Sequence, residues 1–243
     1  MSDMSFPQGT TLSKGTERSF ENWWGMSGEW VEAPNERRGG ESGVQRIQIN
    51  DGTIAYAKRQ VGHIYRSLRH PFGRPTALRE RDALTSIAAL GVGVPELLFC
   101  EARRDEQGWR ALLVSAELAG YVSLEDWYAS GAQTRYDQAT RNIFLKQLGA
   151  MLARLHKARW QHGCLYDKHV FLRVRETLGE VEFDVALLDL EKCRRRFSAR
   201  RAARRDLLQL KRHSSLSHAD WQALVYGYQA VFGKVIKGLQ PCT

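Results

Sequence analysis

The stretch His162-Gly163-Cys164-Leu165-Tyr166-Asp167-Lys168-His169 decides the fold of this chain. It follows a long segment, 138–157, whose apolar residues recur with the period of an amphipathic helix, and it precedes a short apolar strand pattern at 170–172. Further along, Leu187-Leu188-Asp189-Leu190-Glu191 places a carboxylate directly after a second apolar strand pattern. This order predicts that Asp189 sits at the end of a buried strand.

The bulk composition is that of a globular protein. With 243 residues, 43% hydrophobic and 26% charged, the chain can form one large domain or two lobes that share a cleft. No run approaches the roughly 20 apolar residues that span a bilayer, and residues 1–19 contain no apolar run like a signal peptide. We therefore expect a cytoplasmic protein, with peripheral contact at the inner face of the cytoplasmic membrane left open. The scattered cysteines, Cys100, Cys164, Cys193 and Cys242, predict reduced thiols rather than disulfides or a zinc site.

The net charge of +9 has its origin in one segment. Between Lys192 and Arg212, ten residues are Lys or Arg and only Asp206 is acidic, so the rest of the chain balances at 26 basic and 26 acidic residues. A concentrated basic element predicts an anionic partner nearby, although a solvated helix face has the same composition.

The distribution of patterns predicts an α+β, two-lobed fold with a β-rich front half and a mostly helical back half. The predicted parts are an N-terminal extension at 1–30, an N-lobe at 31–118 and a C-lobe at 119–243, joined near 116–121. Alternation from Gly39 to Lys58 around Asn50-Asp51-Gly52 predicts a hairpin, and Pro71 and Pro75 predict a loop.

Further elements follow from periodicity and from turn residues. Strands are predicted at 95–100, 111–115, 170–172 and 185–188, and helices at 138–157, 204–211 and 220–232. Another helix begins at Thr76. Its predicted buried face is Leu78, Ala83, Leu84, Ile87 and Ala88, and that of helix 138–157 is Ile143, Leu145, Leu148, Met151, Leu152 and Leu155.

The loop at 162–169 has the layout His-x-Asp-Leu-x-x-x-Asn of a kinase catalytic loop, with two letters changed. Cys164 stands where that loop has its catalytic Asp, and His169 stands where it has a metal-binding Asn. Asp189 has the position of the kinase metal-binding Asp, and a carboxylate at the end of a buried strand can face a cleft and bind magnesium through oxygen.

The front half offers candidates for holding a triphosphate, which phosphoryl transfer requires. A glycine-rich segment at 38–44 precedes the first clear strand, and glycines let backbone amides approach a phosphate closely. Lys58 ends a strand like the Val-Ala-Ile-Lys strand whose Lys contacts phosphates. Its carboxylate partner is either Glu80 or Glu117, and Glu80 lies on the following helix, as is usual in kinases.

Residues from about 37 to 212 together resemble the lipopolysaccharide kinase (Kdo/WaaP) family, including its InaA branch, within the protein-kinase-like fold. The residues that carry the resemblance are Arg38-Gly39-Gly40-Glu41-Ser42-Gly43, His70-Pro71-Phe72-Gly73-Arg74-Pro75, Leu78-Arg79-Glu80, the loop at 162–169, Leu188-Asp189-Leu190-Glu191-Lys192 and Arg205-Asp206-Leu207-Leu208.

The resemblance implies ATP and Mg²⁺ as cofactors and phosphorylation of a sugar hydroxyl, on Kdo or heptose, in the inner core of lipopolysaccharide, or a role as a related envelope-stress protein. The implied functional residues are Gly39, Gly40, Ser42, Gly43, Lys58, Glu80 and Glu117 for ATP, Asp189 and His169 for metal, Asp167, Cys164 and His162 for catalysis, and Asp206 as a brace for the loop. The arginines suit an anionic glycolipid, because Arg binds phosphates and carboxylates bidentately, or an anionic membrane surface.

Cys164 departs from the sugar kinases of the family, which carry Asp there, whereas the family does use a His at the position of His169. A thiol is a poor substitute for a carboxylate that accepts a proton, so three interpretations stay open. Asp167 reaches the acceptor, transfer proceeds without a strong base through a loose transition state, or the protein is a pseudokinase that binds nucleotide or a partner with little transfer. A nucleic-acid-binding protein is a distant alternative. No nucleic acid is expected as partner, because Phe197 is the one aromatic residue in the basic run.

Overall fold

A computed structural model describes residues 18–37, 39–49, 52–68, 70–106, 108–177, 179–236 and 238–239. Residues 1–17 of the predicted N-terminal extension lie outside the described residues, as do Arg38 and the turn residues Asn50 and Asp51.

A five-stranded antiparallel sheet forms the front half, with the strand order β1-β2-β3-β7-β6. Its strands are β1 (Glu29–Arg37), β2 (Gly40–Gln48), β3 (Ile54–Val61), β6 (Leu97–Asp105) and β7 (Gly108–Ala116). The predicted hairpin is confirmed as β2 and β3, in which Val44 pairs with Lys58.

Both faces of this sheet are covered, as the alternation along β7 requires. Leu112 and Val114 pack with Phe20 and Trp23 from helix α1 (Phe20–Gly25) on the outer face. Leu113 points the other way, into the main core that continues into the back half of the molecule. The sheet thus rests on the same core as the helices behind it.

A second hairpin replaces the loop predicted around Pro71 and Pro75. Strands β4 (Ile64–Ser67) and β5 (His70–Pro75) pair with each other in a two-stranded ribbon. The loop prediction was wrong because proline, although it cannot donate to a ladder, is tolerated in an edge strand.

Helix α2 (Thr76–Ala88) begins at the predicted residue, but its buried face differs from the prediction. Leu78 is only half-buried and Ala88 is exposed, whereas the carboxylate-bearing Glu80 is buried. The helix presents an acid to the cleft because its apolar stripe packs on the sheet through Ala83, Leu84 and Ile87.

The back half is mostly helical. It comprises β8 (Val122–Ser123), α3 (Leu124–Ala129), a 3-10 helix at Ala132–Arg135, α4 (Gln138–Lys157), β9 (Trp160–Gln161), a 3-10 helix at Asp167–His169, β10 (Val170–Thr177), β11 (Glu180–Leu187), a 3-10 helix at Leu190–Lys192, β12 (Arg194–Arg195), α5 (Ala199–His213) and α6 (His218–Phe232). Strands β11, β10 and β8 form one sheet, and β12 pairs with β9. In the part of the chain that the structure describes, no helix combines the length and the apolar character needed to cross a lipid bilayer.

Helix α4 has the bounds that periodicity predicted, with one error in its buried face. Ile143 is 49% exposed, and Phe144 is fully buried in its place. Positions 144, 148, 151 and 155 recur at helical spacing, so Phe144 belongs to the buried stripe and Ile143 lies outside it.

Helices α4 and α6 approach each other so closely that two positions have room only for glycine. A Cβ at Gly149 would overlap the carbonyl oxygen of Leu224, and a Cβ at Gly227 would overlap that of Lys146. Backbone atoms cannot move aside as flexible side chains can. The close contact between these helices therefore requires glycine at both positions.

We expect Gly149→Ala to lower the free energy of unfolding by about 2–3 kcal/mol, because the added methyl group forces two packed helices apart. Denaturant unfolding would measure this loss. Gly131→Ala is a matched control for methyl insertion, since a Cβ there meets no atom, although its positive φ adds a smaller strain of its own. An equal or larger loss in the control would contradict the explanation.

Candidate active site

Asp206 anchors the predicted catalytic loop from helix α5. Its buried carboxylate accepts hydrogen bonds from the backbone amides of His162 at 2.6 Å and Gly163 at 3.0 Å. His156 Nε2 lies 3.1 Å from the same carboxylate, and the Tyr228 hydroxyl lies 3.1 Å from His156 Nδ1. Burial alone would raise the pKa of Asp206, but the contacts with His156 and with the loop lower it below its ordinary value, so the carboxylate stays ionised.

His162 joins the loop to the strand end that precedes Asp189. Its Nε2 donates to the carbonyl of Leu188 at 3.0 Å, and its Nδ1 accepts the backbone amide of Cys164 at 3.3 Å. Burial lowers the pKa of His162, which keeps the ring neutral in the tautomer that these two bonds require. The side chain is fully buried with both nitrogens engaged. His162 thus positions the loop in this structure, and its predicted catalytic role stays a prediction.

His169 and Asp189 face each other across the loop. His169 donates through Nδ1 to the carbonyl of Cys164 at 2.7 Å, which leaves Nε2 directed at Asp189, 3.7 Å from its Oδ2. The backbone amide of Leu188 donates to the carbonyl of His169 at 2.9 Å, so the loop and the strand end are held together.

Asp189 has a left-handed backbone, with φ 58° and ψ 62°. A non-glycine residue in this region is strained, and such strain persists where the surrounding structure imposes it, often at functional sites. The strained turn directs the chain from β11 into the 3-10 helix Leu190–Lys192.

Lys58 is the centre of a buried ion-pair cluster. Its ammonium lies 2.8 Å from a carboxylate oxygen of Glu80 and 2.8 Å from one of Glu191. Burial alone would lower the pKa of Lys58, but the two carboxylates raise it above its ordinary value, so the side chain stays charged. Of the two predicted partners, the structure pairs Lys58 with Glu80.

Glu191 is the residue of this site that sequence reasoning missed. It lies two positions after Asp189, in the 3-10 helix Leu190–Lys192. Its backbone carbonyl accepts a hydrogen bond from Arg79 Nε at 2.8 Å, and its second carboxylate oxygen lies 3.7 Å from His63 Nε2. Glu191 therefore joins the segment that carries Asp189 to Lys58.

Glu117 lies apart from this cluster, at the start of the link between the two halves. Its carboxylate accepts hydrogen bonds from the Tyr56 hydroxyl at 3.3 Å and from the Arg46 guanidinium at 3.4 Å. Its backbone amide donates to the carbonyl of Ile54 at 3.0 Å. Glu117 thus supports the link rather than Lys58.

The predicted glycine-rich phosphate segment is mostly strand, which corrects its placement before the first strand. Gly39 occupies the tip between β1 and β2 with φ 73°, a conformation that favours glycine, but Gly40, Ser42 and Gly43 belong to β2. A Cβ at Gly40 would overlap the backbone at Gly62 and His63. Packing against the backbone therefore requires glycine at Gly40, while the predicted contacts of Gly39, Gly40, Ser42 and Gly43 with ATP stay a prediction.

Cys164 and Asp167 are both buried, each only 6% exposed. Asp167 Oδ1 accepts the backbone amide of Lys168 at 3.0 Å. Lys192 lies beside Cys164, and the interaction between the two side chains raises the pKa of Lys192. The catalytic-Asp position is thus occupied by a buried cysteine beside a cation.

A five-stranded sheet with a Lys–Glu pair, linked to a helical half that carries a His-containing loop and a strand-end Asp, defines a protein-kinase-like fold. The chain belongs to the lipopolysaccharide kinase (Kdo/WaaP) family, whose model matches residues 21–228.

Two comparisons agree with this assignment. Protein InaA of Escherichia coli (strain K12) is 40% identical over 213 residues, which cover 87% of this chain and 96% of InaA. A solved structure of WaaP in complex with acyl carrier protein has a TM-score of 0.67 at 20% identity, covering 90% of this chain and 83% of that one. At that identity the WaaP structure shows the shared fold alone.

Proposed function

We propose that the protein is an ATP-dependent kinase that phosphorylates a sugar hydroxyl, on Kdo or heptose, in the inner core of lipopolysaccharide. Family membership supports kinase-like function on this class of acceptor. The observation that carries the proposal is the contact of Lys58 both with Glu80 and, at 2.8 Å, with Glu191, which lies two residues after Asp189.

The residues present fit a nucleotide bound with its magnesium ion. Asp189 Oδ2 and the available Nε2 of His169 face each other, and magnesium in such sites takes one or two protein ligands and fills its remaining positions with phosphate oxygens and water. Among the described residues, no three His, Cys, Asp or Glu side chains come together to hold a metal alone. When bound, the metal would neutralise charge on the phosphates, while Lys58 would orient them and Glu80 would hold Lys58 in place.

The acceptor side of the site favours transfer without a strong base. Asp167 is buried and bonded within its own turn, whereas Lys192 places a positive charge next to Cys164. A loose transition state needs little proton removal, and a cation there would stabilise the phosphoryl oxygens. A pseudokinase that binds nucleotide with little transfer is the second candidate, and the buried thiol of Cys164 is the observation that favours it.

The exposed face of α5 is the proposed binding surface for the anionic glycolipid. Arg200, Arg201, Arg204 and Arg205 are exposed, whereas Asp206 on the opposite face anchors the catalytic loop. The arginines thus lie on the solvent-facing side of the helix that anchors the loop, where they would bind phosphates or carboxylates bidentately. We place the protein in the cytoplasm, with peripheral contact at the inner face of the cytoplasmic membrane through this basic surface and the fully exposed Phe197.

Phosphate transfer from radiolabelled ATP to purified core lipopolysaccharide, in the presence of magnesium, tests the proposal. We expect incorporation by the wild type and a loss of about 100-fold or more in Asp189→Ala, because the carboxylate that would hold the metal is gone. Purified acyl carrier protein should be tested in parallel for binding, because the solved WaaP structure contains that protein.

Three results separate the candidates. Nucleotide binding by calorimetry with no transfer above the Asp189→Ala level would select the pseudokinase. Absence of nucleotide binding would count against both. Binding to DNA or RNA in preference to lipopolysaccharide would instead favour the nucleic-acid alternative.

A further inference from the structure

The Lys58 cluster contains one carboxylate more than a lysine needs for positioning. A lysine ammonium has three N–H donors, and two of them are directed at Glu80 and Glu191, each at 2.8 Å. Glu80, on α2, already orients Lys58. Glu191 approaches from the opposite side of the cleft, from the 3-10 helix that follows Asp189.

Glu191 is held in this position by residues of the front half of the chain. Arg79, the residue before Glu80, donates to the backbone carbonyl of Glu191 at 2.8 Å, and His63 lies 3.7 Å from the carboxylate. The side chains of Lys58, Glu80 and Glu191 are 14%, 11% and 16% exposed, so water screens their charges little. The contact between Glu191 and Lys58 is therefore part of a packed cluster. Helix α2 binds Lys58 through Glu80 and binds Glu191 through Arg79.

The side from which Glu191 approaches Lys58 determines what an incoming phosphate would meet. Glu191 reaches Lys58 from the side on which Asp189 lies, and that is the side from which a phosphate held near Asp189 would meet the same ammonium. A phosphate that arrives without a cation would meet a carboxylate already bound to Lys58. Both groups are anions, so the two cannot share the ammonium at short range without repulsion.

We propose that Glu191 is a competitor for Lys58 that blocks the phosphate position until a nucleotide displaces it. Nucleotide binding then depends on magnesium more strongly than it would with Lys58 paired to Glu80 alone, because a divalent cation offsets the extra negative charge. Glu191 is a positioning residue in this proposal and acts through Lys58. The proposal rests on the proposed nucleotide site and specifies how that site is regulated.

Calorimetric titration of ATP without magnesium, in the presence of a chelator, tests the competition directly. We expect Glu191→Gln to bind magnesium-free ATP about tenfold more tightly than the wild type, since it removes a charge at contact distance from the phosphate position. The same variant should gain less from added magnesium than the wild type does. Circular dichroism would establish that the variant is folded.

Two controls separate competition from a general change in charge. Glu80→Gln removes the same charge from the same ammonium but leaves Glu191 in place, so it should not show the gain. Glu106→Gln removes an acidic charge at the exposed β6–β7 turn and should bind as the wild type does. Equal gains in Glu191→Gln and Glu80→Gln would overturn the proposal.

The remaining outcomes distinguish this inference from the proposed function. If the wild type binds ATP with magnesium and Glu191→Gln shows no gain without it, the competition is refuted while the nucleotide site stands. If neither protein binds ATP under any condition, both are refuted. Should Glu191→Gln fail to fold, Glu191→Asp replaces it, because the shorter side chain keeps the charge but reaches less far toward Lys58. We expect Glu191→Asp to bind magnesium-free ATP more tightly than the wild type, by less than about tenfold. No gain in this variant would refute the competition.

Discussion

Replacing Asp206 with Ala should lower the free energy of unfolding by about 3–5 kcal/mol, the largest loss that we expect from any single change in the back half. The carboxylate is fully buried and binds the amides of His162 and Gly163 together with the ring of His156. Removing it leaves these groups buried without their acceptor, and the cost of an unsatisfied buried donor adds to the loss of the bonds. Equilibrium unfolding in urea would measure the loss.

The loss should depend on pH in a defined direction. The contacts of Asp206 hold its pKa below the ordinary value, so its contribution to stability is present above the unfolded pKa of about 4. The contribution disappears as pH falls through the lowered pKa of the folded state. The difference between wild type and Asp206→Ala should therefore shrink in acid.

Arg204→Ala is the matched control, because Arg204 lies on the exposed face of the same helix. It should change stability by no more than about 0.5 kcal/mol. If Asp206→Ala costs no more than this control, Asp206 does not anchor the loop.

Replacing Lys58 with Met should cost about 3 kcal/mol of stability and abolish nucleotide binding. The change leaves Glu80 and Glu191 buried with no ammonium between them, and breaking a buried pair from one side leaves an uncompensated charge. Thermal and urea unfolding would measure the first effect, and ATP calorimetry would measure the second.

The double variant Lys58→Met/Glu191→Gln identifies the origin of the stability loss. Removing one of the two excess carboxylates should recover part of the stability without restoring nucleotide binding. Lys234→Met removes an exposed lysine and should leave stability close to that of the wild type. Additive effects of the two substitutions would show that Lys58 and Glu191 are not coupled.

Local patterns were sufficient for much of the scaffold. The β2–β3 hairpin, the start of α2 and both ends of α4 agree with prediction because alternation and helical spacing are properties of neighbouring residues. The β4–β5 hairpin was missed because its two prolines indicate a loop in any local reading. The burial of Phe144 in place of Ile143 depended on which face of α4 meets the core.

The parts of the candidate site that could be predicted are those whose residues follow the sequence order typical of kinases. Glu80 as the partner of Lys58 and the proximity of Asp189 to His169 follow that order. The burial of His162 could not be inferred from the loop itself, because α5 and the end of β11 supply its surroundings. The same holds for Gly40, whose need for glycine arises from the backbone at Gly62 and His63.

The sequence by itself determined the family, the two-lobed α+β fold and the presence of a thiol where kinases carry their catalytic Asp. These properties depend on residue identity and short spacing, which can be read without coordinates. Only the tertiary structure decided that Glu191 binds Lys58, a contact across 133 positions of the chain, and that Lys192 lies beside Cys164. Such contacts depend on the path of the whole chain, because packing of the shared core sets the distance between the two sides of the cleft.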